Sequence, residues 1–243
     1  MKRRLLPVWD NDTSNPEAGH HWRSWKRVVA VDATRQDVPA GETTTVPFMG
    51  IPRPKSKVVG LNRFYVVPVT AATLGPINQA IQSRDADLRL AIRMALERDL
   101  QVGDFILFIG THVTSKEIDD WTWATFWWHD EPDAGRFAQN RPDEVKGVWR
   151  NYVMAIADDQ VKPLESDGSP LIGYNPWLEG GFGNGIVSNC MTCHRRASYP
   201  FTSFLPVTRG LPNPDTDPAF TPPGDPAFKP GRLQLDFLWS VSK

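Results

Sequence analysis

The chain has 243 residues, a formal net charge of -1, 40% hydrophobic residues and 23% charged residues. This composition is ordinary for a globular protein with a core of useful size. The near-zero charge argues against a nucleic-acid or anionic-membrane partner, because both favour a marked basic excess. No apolar run approaches the roughly 20 residues that a membrane helix needs.

Residues 1–25 are polar and are predicted to form an N-terminal arm. Met1–Leu6 resembles the charged start of a signal peptide, but Pro7–Asp10 stands where the apolar segment is expected. This favours a chain whose natural leader is missing, although a start codon followed by a few basic residues fits equally well. Both cysteines of the chain lie in the run Cys190-Met191-Thr192-Cys193-His194, whose C-x-x-C-H spacing is typical of covalent haem attachment. Adjacent side chains point apart, so His20 and His21 are more consistent with a solvated arm than with a metal or haem contact.

Three segments rich in β-branched residues are predicted to form strands. They are bounded by turn-forming residues and run through Lys26–Thr34, Thr43–Ile51 and Val58–Val69.

A change of period predicts an amphipathic helix over residues 84–101. Apolar residues recur at every fourth position, at Leu88, Ile92, Leu96 and Leu100. Ser83 or Asp85 can cap the start of this helix, and Gly103 can close its end. Met94 is a possible sixth haem ligand, but a methionine among leucines and alanines is more typical of a core residue.

The apolar run Asp104–Gly110 predicts a buried strand that places His112 at or just past its end, followed by Lys116. A rigid strand end can present an imidazole to a pocket, so His112 is the first candidate for the distal side of a haem. The alternative is a histidine that only satisfies hydrogen bonds at the strand end.

Trp121–Asp130 alternates as a second strand and predicts two distinct faces. One face carries Trp121, Trp123, Thr125, Trp127 and His129, and the other carries Phe126 and Trp128. Such an aromatic wall suits a flat porphyrin, with Trp123 as a cofactor contact. The same tryptophans are equally compatible with a β core.

The next segment is ambiguous. Asn140–Glu144 has the chemistry of a helix start, and apolar residues continue at helical spacing, although Asn151–Ala157 is equally compatible with a strand. Met154 lies there and is a second possible axial ligand.

Proline and glycine dominate much of the C-terminal third. Asn175–Leu178 is a candidate for packing on a haem edge, and the proline-rich stretch Tyr199–Pro230 predicts an ordered loop. The apolar stretch Leu233–Val241 predicts a closing strand.

Cys190-Met191-Thr192-Cys193-His194 is a C-x-x-C-H run that uses both cysteines of the chain. In this motif the two thiols bond the edge of a porphyrin and the histidine ligates the iron. One helical turn places Cys190 and Cys193 on the same side, with His194 next to them. The motif therefore predicts one covalent haem c per chain, held by Cys190, Cys193 and His194.

Two other uses of these thiols fit less well. A structural zinc site usually has four tetrahedral ligands and would need distant histidines here. A thioredoxin-like redox pair normally lies in a βαβ unit, whereas this pair follows a glycine-rich loop.

The C-x-x-C-H run, the segments Gly110–Lys116 and Trp121–Phe126 and the final Asp236–Trp239 stretch resemble a group of uncharacterised bacterial c-type cytochromes. In layout only, the chain resembles the β-sheet relatives of cytochrome c-prime and the lysine-cross-linked hydroxylamine-oxidising cytochromes, and layout does not determine function. The resemblance implies export, because c-type haem is attached outside the cytoplasm. Resemblance to the cross-linked group also makes Lys116 a weaker candidate for porphyrin contact.

The predicted fold is α+β, with a mainly antiparallel β body, one long amphipathic helix and a single haem domain over 26–243. The leading functional hypothesis is an exported, periplasmic monohaem electron carrier with His112 as the second iron ligand and a redox protein as partner. The alternative is a haem enzyme or gas-binding protein whose open site accepts nitric oxide, peroxide or hydroxylamine. A purely structural haem is a third possibility.

Overall fold

The computed structural model is a mainly β body. It describes residues 4–11, 25–84, 98–119, 121–139, 141–158, 165–169, 171–180, 189–194, 197–199, 233–236 and 238. Within these ranges the strands form four sheets, and the main helix has 14 residues. The predicted mainly β body with one long helix is confirmed at this level.

The first sheet has the strand order β1-β2-β4-β3. Its strands are β1 (Arg4–Val8), β2 (Arg27–Asp32), β3 (Thr43–Phe48) and β4 (Ile51–Gly60). β2 and β4 pair in parallel, and the other neighbours are antiparallel.

β1 corrects the expectation that the N-terminal residues form a solvated arm. It pairs with β2, and both Val8 and the following Trp9 are buried. Alternate side chains of a paired strand face the core, and this burial outweighs the polar composition of the surrounding segment. His20 and His21 lie outside the described residues.

The long helix is α1 (Ala71–Arg84), and it lies before the predicted helical segment. The sequence did not predict α1, because Gly75 and Pro76 are poor residues for a helix interior. Residues 85–97 of the predicted helix, including Met94, lie outside the described residues, and residues 98–101 are not helical.

A two-stranded sheet pairs β5 (Val66–Pro68) with β6 (Phe105–Leu107). The prediction of a buried strand over Asp104–Gly110 is therefore wrong in extent and in burial. Phe105 and Ile106 are 39% and 37% exposed, because β6 pairs only with a short strand at the surface.

The third sheet has the order β7-β8-β9 and consists of β7 (Gly110–Ser115), β8 (Thr122–Trp128) and β9 (Tyr152–Asp158). Both pairings are antiparallel. The strand alternative for Asn151–Ala157 is confirmed, and the helical one is wrong. Within the described residues 141–151, a 3-10 turn, Gly147–Asn151, leads into β9.

β8 separates two parts of the core. On one face Trp128 packs with Phe64 and Tyr152 against valines of the first sheet. On the other face Trp127 belongs to an aromatic cluster with Trp9, Trp25, Phe137 and Tyr174. Trp123 belongs to a separate cluster on that same face, so the alternation predicted for this strand is confirmed.

Near the C-terminus, α2 (Cys190–His194) precedes a short pair of strands, β10 (Ser198–Tyr199) and β11 (Leu233–Gln234). The closing strand predicted over Leu233–Val241 is thus two residues long within the described part of the chain. Residues 200–232, which hold most of the proline-rich stretch, lie outside it.

Candidate haem site

The C-x-x-C-H motif forms α2, which packs against the Trp123 end of β8. Cys190 and Met191 are buried in one cluster with Trp121, Trp123 and Ala157. The Cys190 Sγ lies 3.7 Å from the carbonyl oxygen of Gly173, within reach of a weak hydrogen bond. The backbone of Cys193 is part of α2, whereas its side chain lies outside the described part of the structure.

The loop before α2 approaches the helix closely. The Asn189 side chain donates to the carbonyl oxygen of Leu171 at 3.2 Å. A Cβ added to Gly173 would lie 3.2 Å from the Asn189 Cβ, so glycine permits this approach. These contacts hold the start of α2 against the loop that contains Leu171 and Gly173.

The imidazole of His194 lies against the indole of Trp123. Their ring centroids are 4.4 Å apart and the ring planes are inclined by 39°. Trp123 is 2% exposed, whereas His194 is only partly buried. The structure thus places Trp123 directly beside the histidine of the motif.

His112 was predicted at or just past the end of a strand over Asp104–Gly110, but it is the third residue of β7. It pairs with Thr125 across the sheet, so it shares the face that carries Trp123. Burial and the nearby His194 both lower the pKa of His112 below its usual value. His112 and His194, which are 82 positions apart in the chain, are therefore close enough in the fold for the charge of His194 to affect the pKa of His112.

Glu179 completes this region and was not predicted from the sequence. Its Oε1 lies 3.9 Å from the His112 Nε2, and its Oε2 accepts a 2.6 Å hydrogen bond from the Asn175 backbone N–H. Burial raises the pKa of Glu179 to about 7. The adjacent Asn175–Leu178 run was noted in the sequence, but nothing in a single chain pairs Glu179 with a histidine 67 positions earlier.

Asn175 fastens this loop to β8. It is fully buried, and its Nδ2 donates to the Thr125 Oγ1 at 2.9 Å and to the Phe126 carbonyl oxygen at 3.0 Å. Its Oδ1 accepts from the backbone N–H groups of Trp177 and Leu178. All four hydrogen-bonding positions of the amide are used, so the loop is tightly held.

Met154, His129 and Lys116 have other surroundings. Met154 is opposite Phe126 in the β8–β9 pair, on the face that points away from Trp123, so it is not placed to ligate the same iron. His129 is buried against the Trp9 carbonyl oxygen. Lys116 pairs with Asp236, its Nζ lying 2.7 Å from the Oδ2.

The described residues fit a covalent haem. Cys190 is buried and lies one helical turn before His194, and the neighbouring indole of Trp123 offers a flat apolar surface. A second imidazole, that of His112, lies on the same side of the sheet. A group of three or more His, Cys, Asp or Glu side chains able to hold a bare metal ion is not found among the described side chains.

Comparison of the chain with protein-family models, with curated proteins and with solved structures gave no match. Neither α1 nor any other helix in the described ranges has the length and apolar character needed to cross a bilayer.

Proposed function

We propose that the protein is an exported monohaem c-type cytochrome that transfers electrons. The observation that carries the proposal is the C-x-x-C-H turn of α2, seated on Trp123 with His112 and His194 on the same side of one sheet. Two imidazoles carried by different elements on the same side of the sheet would be able to ligate one haem iron.

Each residue has a separate role in this proposal. Cys190 and Cys193 would hold the porphyrin through thioether bonds, and His194 would ligate the iron. His112 would be the second iron ligand, and Trp123 would flank the His194 imidazole. Haem supplies the one-electron chemistry of its iron, and the protein adjusts it through ligand identity and burial.

The first experiment tests the cofactor itself. The full chain is produced in a bacterial host with a haem c maturation system and an added export signal, and its mass and absorption spectrum are measured. We expect the mass of one haem to stay with the polypeptide under denaturing conditions. Cys190→Ala with Cys193→Ala should abolish this covalent haem, and a colourless wild-type protein would refute the proposal.

The second experiment tests His112. We expect wild-type ferrous protein to be low-spin and unchanged by carbon monoxide, because a closed sixth position excludes the gas. His112→Ala should open the position and allow rapid binding. Val113→Ala is the matched control, since this 53% exposed neighbour on β7 points to the opposite face.

A haem enzyme or gas-binding protein is the second candidate function. It is favoured by one observation, that the His112 side chain is 34% exposed and faces Glu179, not a closed apolar pocket. Rapid carbon monoxide binding by the wild-type protein would favour this second function over electron transfer. Its substrates would then be small haem ligands such as nitric oxide, peroxide or hydroxylamine.

A further inference from the structure

Two tryptophans connect His194 with the surface. Trp123 lies against the His194 imidazole at 4.4 Å, and Trp121 stacks on Trp123 with centroids 5.7 Å apart and planes inclined by 25°. Trp123 is 2% exposed and Trp121 is 9% exposed. The three rings therefore form a continuous aromatic column that begins at the candidate iron ligand.

The outer end of this column is held by charged groups. The Trp121 Nε1 donates to the Asp236 Oδ1 at 3.4 Å, and the Lys116 Nζ lies 5.4 Å from the centre of the same indole. The side chains of Lys116 and Asp236 are 47% and 55% exposed. The backbone of Trp121 has φ 62°, which is unfavourable for a bulky residue, so the contacts around this indole hold it in a costly conformation.

Acidic side chains predominate among the described residues at the outer end of the column. Glu117 and Asp119 are exposed in the turn between β7 and β8, directly after Lys116, and Asp236 pairs with that lysine. Among these described side chains, three carboxylates stand against the ammonium group of Lys116. A partner with a positively charged contact surface is therefore expected to dock here. The attraction between opposite charges would also accelerate its encounter with the chain.

We propose that Trp123 and Trp121 are the route by which one electron leaves the haem, and that the acceptor is a redox protein with a basic surface that docks over Lys116 and Asp236. In this step the ferrous iron becomes ferric and the one-electron centre of the acceptor is reduced; no bond forms and no proton moves. The rate of electron tunnelling falls steeply as the gap that the electron must cross widens. Aromatic rings in contact leave only small gaps along the path through the protein. The inference rests on the proposed electron-transfer function.

The test uses stopped-flow mixing of the ferrous haem-loaded chain with ferric mitochondrial cytochrome c, a basic one-electron acceptor. Trp121→Leu removes the outer ring, and we expect its limiting rate at saturating acceptor to fall several-fold while the acceptor concentration for half-maximal rate stays unchanged. Trp149→Leu is the matched control, because this tryptophan is 43% exposed and stacks on Tyr65 in another part of the molecule. We expect its limiting rate to equal that of the wild type.

Glu117→Lys separates docking from electron transfer. We expect it to slow the second-order rate at low salt by about tenfold, because it reverses a charge at the docking surface, without changing the limiting rate. If Trp121→Leu does not fold, Trp121→Phe replaces it, and its smaller ring should also lower the limiting rate. An unchanged limiting rate in the folded Trp121 variant overturns the route, and a rate of Glu117→Lys that equals wild type at low salt overturns the docking surface.

Failure of this inference is distinguishable from failure of the proposed function. A chain without covalent haem, or with haem that is not reversibly reduced, fails before any rate is measured. A reversibly reduced haem with rates insensitive to Trp121 and Glu117 removes only the route and its docking surface.

Discussion

Replacing Asn175 by alanine should destabilise the protein strongly, because this buried amide makes four hydrogen bonds. Two run from its Nδ2 to Thr125 and Phe126, and two run to its Oδ1 from Trp177 and Leu178. At roughly 1 kcal/mol for each hydrogen bond, and with buried partners left unsatisfied, we expect a loss of about 3–5 kcal/mol. This is a large part of the stability of an ordinary domain.

The loss is measured by urea unfolding of the haem-loaded protein, followed by circular dichroism. Asn62→Ala is the matched control, since this asparagine makes one exposed side-chain hydrogen bond, to Asp37 at 3.1 Å. We expect the control to cost less than about 1 kcal/mol. Equal unfolding free energies for the two variants would refute the reasoning that Asn175 fastens the loop to the sheet.

Gly110 on β7 lies close to the Asn175 amide, so a substitution at Gly110 also tests how this amide is packed. A Cβ at this position would lie 3.0 Å from the Asn175 Nδ2 and 3.1 Å from the Phe126 carbonyl oxygen. Gly110→Ala should therefore displace the amide. In an Asn175→Ala background the first clash is absent, so we expect the Gly110 substitution to cost less there, with a coupling of about 0.5–3 kcal/mol. Strict additivity in this double-mutant cycle would contradict the close approach.

Two further substitutions probe parts of the sheet outside this contact. The Nε2 of buried His129 donates to the Trp9 carbonyl oxygen and its Nδ1 accepts from the Glu131 N–H, while burial holds the pKa of His129 below its usual 6.5. The contribution of His129 to stability is therefore complete above about pH 6.5 and is lost as the pH falls below that value. In His129→Asn the unfolding free energy should fall less steeply between about pH 7 and 5 than in the wild type. An unchanged slope would contradict this role of His129. Met154→Leu should leave the absorption spectrum of the haem unchanged, because the two side chains are similar in volume and position 154 faces away from Trp123; a shifted Soret band would show that the methionine reaches the iron.

Local patterns in the sequence were sufficient for several strands. The alternation over Trp121–Asp130 predicted both faces of β8, and the run Arg27–Asp32 predicted β2. Such patterns succeed because neighbouring side chains of a strand point to opposite sides, so burial on one face leaves a record in the order of residues. The order of residues carries no comparable record for α1, in which Gly75 and Pro76 interrupt the helical pattern.

Residues 4–8 show a different limit. Arg4–Val8 is short and lies in a polar segment, and it becomes a strand only because β2 offers it a complete antiparallel partner. Likewise, the apolar residues of Phe105–Leu107 suggested burial, but their pairing with the short β5 leaves two of them exposed. Pairing with a distant strand decides both outcomes, and a local pattern does not contain it.

By itself, the sequence determined the chemistry that this protein can offer: two thiols and an imidazole within five consecutive residues, Cys190–His194. Only the tertiary structure decided what surrounds that chemistry. It placed Trp123 against His194, Glu179 beside His112 and Met154 on the other face of the sheet, because sheet register and loop packing join residues that lie far apart in the chain. Covalent spacing is local and readable in one sequence, whereas these contacts form only when distant strands pair and bury their shared faces.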